Sequence, residues 1–119
     1  MSTVSYNQSF RTTGGLQRFD CLAWVNFNGT GAVAIRASGN VSSITDNGVG
    51  DYTVNFTNAL PDANYAFSLS IDDATSALNV ARLYRSAPST PTSTAFRIRL
   101  NNPTPNQTDN EYVSAVFFR

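Results

Sequence analysis

This 119-residue sequence predicts an all-β fold, a compact antiparallel β-sandwich of about eight short strands, with barrel-like closure as an open variant. Three observations lead there. Ser, Thr and Asn occur thirteen times each, residue types that compete with the helical backbone and favour strands and turns. From Cys21 onward apolar or aromatic residues recur at every second position in several short runs, the pattern of half-buried strands. Segments rich in Gly, Asn and Pro separate these runs at the short spacing of a two-layer β architecture.

Residues 1–17 have no sustained apolar period and carry Gly14-Gly15, which reads as an irregular arm or linker ahead of a single sandwich domain spanning 18–119. In the first run Ala23, Val25 and Phe27 share one face, with Trp24 and Asn26 on the other. Asn28-Gly29-Thr30-Gly31 then leads to a second run, Ala32 to Ala37, and residues of this kind tolerate the positive φ of a hairpin turn. Val41 to Thr45 passes through Asp46-Asn47-Gly48-Val49-Gly50-Asp51 into Tyr52, Val54 and Phe56, the clearest hairpin in the chain. Further strands are expected at Tyr65 to Ile71, Leu78 to Tyr84, Ala95 to Leu100 and Tyr112 to Phe118, with one helical turn near residues 72–76. Phe96, Ile98 and Leu100 alternate with Arg97 and Arg99, so a one-residue slip would bury two guanidinium groups and the register is firmly specified. The connections Ser86 to Thr94 and Asn101 to Asn110 read as surface loops.

The chemistry available to this chain is narrow. His and Lys are absent, which removes ordinary Ser-His, Cys-His, Schiff-base and Ser-Lys arrangements. With one Cys besides, the common zinc sites are excluded, and neither a metal nor a cofactor is expected. Asp72-Asp73 is the only adjacent carboxylate pair, and strand or loop neighbours rarely converge for acid-base work, so no enzymatic activity is expected. Asp46, Asn47 and Asp51 resemble a calcium loop only superficially and fit a turn better. Eight Arg balance eight Asp plus Glu, and zero net charge gives no basis for nucleic-acid binding. No stretch approaches the ~20 apolar residues of a membrane span, and Met1 to Phe10 lacks the blocks of a secretion signal. Cys21 cannot form an intrachain disulfide and is expected as a small buried residue beside Leu22 and Trp24. Trp24, Tyr52, Tyr65, Tyr84 and Tyr112 could form a sugar-stacking platform, although a core or subunit interface accounts for them more simply.

The run from Trp24 to Phe56, with Gly14-Gly15-Leu16-Gln17 before it and Leu60-Pro61-Asp62-Ala63-Asn64-Tyr65 after it, resembles a segment of bacteriophage tail-fibre and other virion proteins. The resemblance covers residues 14 to about 71. It implies a β-rich domain, commonly trimeric, attached to a longer fibre at the virion surface, assembled in the host cytoplasm and concerned with host attachment. It brings no catalytic residues. Since Met1 stands only a short arm ahead of the domain, a short virion component and a piece of a longer fibre are both open.

The expected function is therefore a tail or baseplate fibre domain, with a capsid decoration protein and a carbohydrate-binding lectin-like module as alternatives. Expected partners are copies of the chain in a homotrimer, other virion proteins, and a host-surface glycan or protein. The last strand is apolar on both faces: Val113, Ala115 and Phe117 suit the core, leaving Val116 and Phe118 for a subunit interface. If the two long loops gather at one end, Tyr84, Arg85, Asn101, Asn102 and Asn106 would form a receptor-binding surface.

Overall fold

Residues 9–12, 15–72, 79–84, 91–104 and 106–119 are described by the computed structural model, and they form ten strands. β1 (Ser9–Thr12) and β2 (Gly15–Arg18) pair as a two-stranded hairpin. The remaining eight are β3 (Cys21–Asn28), β4 (Ala34–Gly39), β5 (Val41–Gly48), β6 (Asp51–Phe56), β7 (Ala66–Ile71), β8 (Val80–Leu83), β9 (Ala95–Asn101) and β10 (Val113–Phe118). They build two four-stranded antiparallel sheets, β4-β3-β10-β7 and β5-β6-β9-β8, packed as a sandwich. No helix occurs among the described residues. The helical turn expected near residues 72–76 lies outside them except for Asp72.

Hairpins join β3 to β4, β5 to β6 and β8 to β9, and every other connection between sandwich strands changes sheet, so the first of these strands ends beside the last. The tightest crossing is β4 to β5 through Asn40, whose φ of 55° is in the left-handed region that Asn tolerates better than most residues. Its side chain joins the two layers there. Nδ2 donates to the Leu22 carbonyl at 3.0 Å and the Asn58 carbonyl at 3.1 Å, while Oδ1 accepts from the Asn58 amide at 2.8 Å.

Strict alternation supplies the core. Ala23, Val25 and Phe27 from β3 and Val113, Ala115 and Phe117 from β10 face Tyr52, Val54 and Phe56 from β6 and Phe96, Ile98 and Leu100 from β9. The Phe117 ring meets Phe56, Tyr65 and Phe96 edge-on, with centroids 5.1, 5.7 and 5.1 Å away. Each such contact adds about 0.5 to 1.5 kcal/mol beyond area burial. Tyr52 and Tyr65 are thus core residues and leave the sugar-stacking set.

Three local expectations are corrected. The segment read as an irregular arm contains the β1-β2 hairpin; its strands hold one large apolar residue each, Phe10 and Leu16, too few to make a period. The second run is shifted to Ala34–Gly39, and it extends to Gly39 through that residue's pairing with Trp24. A β-carbon on Gly39 would run into the indole, so only glycine lets Trp24 lie flat across that strand. Cys21 is exposed rather than buried. Continued alternation from Ala23 would turn it inward, but a bulge pairs Phe117 with Ala23 and Phe118 with Cys21, leaving Leu22 as the extra residue and sending Cys21 outward.

The facing of β6 is directly measurable. Phe56→Ala should cost about 3 to 5 kcal/mol in urea denaturation, by leaving a cavity against Tyr65 and Phe117. Thr57→Ala, at an exposed position, should cost less than about 1 kcal/mol.

Candidate functional site

The outward face of the β5-β6-β9-β8 sheet is polar and carries a cluster of charge. Because Phe96, Ile98 and Leu100 turn inward, Arg97, Arg99 and Asn101 must turn outward on β9. On β8 the pairs Arg82 with Arg99 and Ala81 with Leu100 put Arg82 on this same face, and Tyr84 follows by donating its amide to the Arg97 carbonyl at 3.0 Å. On β6 the pairs Asp51 with Arg99 and Thr53 with Arg97 bring up the Asp51 carboxylate.

Asp51 and Arg97 form a bidentate pair, with Arg97 Nε on Oδ1 and Nη2 on Oδ2, both at 2.7 Å. Arg99 reaches the same carboxylate only at 3.9 Å. The Arg97 hydrogen bonds hold the Asp51 carboxyl below the usual carboxylate range, against the opposing effect of burial. Both guanidinium groups stack on the Tyr84 ring, their central carbons 4.4 Å (Arg97) and 3.9 Å (Arg99) from its centroid. Arg82 gives Nε and Nη2 to Asn101 Oδ1 at 3.2 and 2.8 Å. Arg82, Leu83, Tyr84 and Arg99 line a recess of about 350 Å³.

Of the expected receptor-binding residues, this face brings together Tyr84 and Asn101, with Asn101 buried beneath Arg82. Arg85 lies outside the described residues. Asn102 and Asn106 belong to the connection that follows β9, where Asn102 Oδ1 accepts from the Thr104 amide, Thr104 hydroxyl and Asn106 amide at 3.1, 2.7 and 2.9 Å. Asn102 Oδ1 is thus the acceptor centre of a local turn, with Asn106 exposed beside it. The described residues of the two long connections, 91–94 and 102–104 with 106–110, flank opposite ends of β9. Ser93 and Thr94 bond back to Leu60 and Phe56 at one pole, while Thr108 and Asn110 bond to Leu100 and Gly29 at the other. Arg82, Arg97 and Arg99 are the site residues that sequence reasoning missed as a group. The signal the sequence carries for them is the outward facing of Arg97 and Arg99 in the alternation of β9.

The far pole is pinned by Tyr52 and Gly50. The single proton of the buried Tyr52 hydroxyl is shared between two acceptors, the Gly29 carbonyl at 2.6 Å and the Asp109 carboxylate, and burial above all pushes its ionisation far up. Gly50, at φ +62°, gives its amide to Asp109 Oδ1 at 2.8 Å. A β-carbon there would sit 2.6 Å from the carbonyls of Leu100 and Thr108. Asp72 has a structural task nearby, its carboxylate accepting from Asn110 Nδ2 and the Tyr112 amide, both at 3.2 Å. Asp73 lies outside the described residues. At the end of β5, at the irregularity just before the turn to β6, Asp46 accepts from the Gly48 amide at 3.0 Å, a local bond that gives this acidic segment a structural role.

The β4-β3-β10-β7 sheet presents a different outward face. Trp24, Val116 and Ser68 stand side by side across three strands, and Phe118 lies next along β10. Trp24 is 43% exposed and Phe118 42%, with Val116 half-buried between neighbours. Trp24, Asn26, Ser68, Ser70, Ser114 and Val116 border a shallow recess of about 250 Å³. The expected interface residues Val116 and Phe118 therefore share one face with Trp24. Tyr112 is exposed beneath the Arg36 guanidinium, 4.0 Å from its centroid, and Tyr84 lies on the opposite sheet, so the exposed aromatics do not form one platform.

No protein-family model, curated protein or solved structure matches the chain.

The Asp51-Arg97 pair has a pH signature. With a folded carboxyl held below its ordinary value of 3.8, its contribution is complete above that value and is lost as pH falls through the lower folded value. Asp51→Asn should destabilise by about 1 to 3 kcal/mol at pH 7. In urea titrations below pH 3.8 the gap from the unsubstituted protein should narrow; a gap independent of pH would refute the assignment.

Proposed function

We propose that this chain is a structural module of a bacteriophage virion, a tail or baseplate fibre domain that self-associates and meets the host surface. The reading rests on the resemblance of residues 14 to 71 to phage fibre segments, a stretch that includes β3, β4, β5 and β6. Trp24, Val116 and Phe118 support self-association: they expose apolar surface on a sheet whose inner face already closes the core. Covering the part of one such side chain that is still exposed contributes about 1 kcal/mol, and rotational symmetry covers the patch on every copy without leaving an open contact. Threefold order rests on the resemblance. The polar sheet, with Tyr84 and its arginines, is the surface left for the host.

Labelling the chain in intact virions tests the location, because a head position favours a capsid decoration protein over a fibre domain. Light scattering at micromolar concentration tests assembly. The expected mass is three times the 12.9 kDa monomer, and Phe118→Asp, which places a charge on an exposed ring position, should return the protein to monomer with its fold intact. A monomer before any substitution would end the self-association reading.

A further inference from the structure

Three of the eight arginines meet on one small patch, and only one described carboxylate answers them. Asp51 is committed to Arg97 by two short bonds, so Arg99 is held at 3.9 Å and Arg82 is satisfied by a neutral amide oxygen. Arg99 Nε is buried and has no hydrogen-bond acceptor among the described residues. A buried N–H of a charged group without an acceptor is costly, and such atoms commonly mark the place of a water or an ion. Guanidinium groups supply planar forks that match oxyanions of carboxylate or sulfate type. The recess beside Arg82 and Arg99, about 350 Å³, falls in the size range of small-ligand sites, about 300 Å³ upward.

The surroundings narrow the ligand. Beyond the arginines this face carries amides and hydroxyls, with Asn47, Thr53, Asn55, Ser43 and Thr45 linked across β5 and β6. Such a field suits a hydroxyl-rich molecule. An extended polyanion such as nucleic acid needs a broad basic surface, whereas this chain has no Lys and zero net charge.

We infer that the recess between Arg82 and Arg99 binds the anionic group of an acidic saccharide, a carboxylate or sulfate carried on a sugar ring; the saccharide part of this assignment rests on the host-surface reading. Arg82 and Arg99 hold the oxyanion, Tyr84 keeps the Arg99 guanidinium flat, and the Asp51-Arg97 pair prevents Asp51 from neutralising Arg99 at close range.

Calorimetric titration of the full chain at fixed ionic strength tests this with three probes: an oligogalacturonate for carboxylate, a carrageenan oligosaccharide for sulfate, and neutral maltotetraose. At least one acidic probe should bind and maltotetraose should not. Arg82→Gln and Arg99→Gln should each weaken binding about tenfold or more, and Arg99→Lys should fall between. Arg36→Gln, on the other sheet, should leave it unchanged. Melting temperatures identify any variant that has lost its fold, and Arg82, being exposed, keeps the test open if Arg99 proves structural. Failure of both acidic probes, equal binding of the neutral one, or an equal loss in Arg36→Gln overturns the site. Virion labelling separates the two readings. A head location with this binding pattern intact keeps the site and removes host attachment, and a tail location without acidic-probe binding does the reverse.

Discussion

Strand β9 cannot be moved by one residue. Phe96, Ile98 and Leu100 are fully buried on one side, while Arg97 and Arg99 carry charge on the other, so a slip would place two guanidinium groups in an aromatic core. β9 lies between β6 and β8, and its register fixes theirs. On the inner side this alternation aligns Tyr52 with Ile98 and Val54 with Phe96. On the outer side it sets Asp51 against Arg99 and Arg82 against Arg99. One constraint therefore builds both the core and the charged face, and the two cannot be altered independently.

The two sheets share an interior and differ outside. Across β5, β6, β9 and β8 the outward residues bond to one another through amide, hydroxyl and guanidinium groups. Across β3, β10 and β7 the exposed Trp24 and Phe118 and the half-buried Val116 stand beside Asn26 and the hydroxyls of Ser68, Ser70 and Ser114. The larger exposed apolar side chains and the charged cluster are thus held on opposite sheets, with a common aromatic core between them.

What could be read from the chain was what lies close in sequence. The β5-β6 hairpin is written in Asp46-Asn47-Gly48, and the facing of β3, β6, β9 and β10 is written in their alternation. What could not be read depends on cross-strand placement. The bulge that turns Cys21 outward is set by the β10 partner, and β4 ends at Gly39, where only a glycine fits against the Trp24 indole. Asp51 and Arg97 are 46 residues apart, and no local pattern announces their meeting. The charged site was only half visible for that reason: Tyr84 and Asn101 were singled out as polar residues flanking loops, whereas Arg82 acquires its place only through pairing with β9. Residues 91–94 and 102–104 leave from the two ends of one strand, so β9 itself sets them at opposite poles.

The backbone groups of Asp20 and Arg119 bond to each other, N to O at 3.4 Å in one direction and 3.2 Å in the other. This places the entry to β3 and the exit from β10 side by side at one pole of an antiparallel ladder. Mechanically the domain is therefore anisotropic. Tension between those two points peels β3 from β10 one rung at a time, each rung worth about 0.5 to 1.5 kcal/mol. Tension from that pole to the far one, where Tyr52 and Gly50 fasten three connections together, runs along the strands and loads many rungs in shear at once. A pull applied across the length of the sandwich meets its strongest direction, and a pull that separates its two ends from each other meets its weakest.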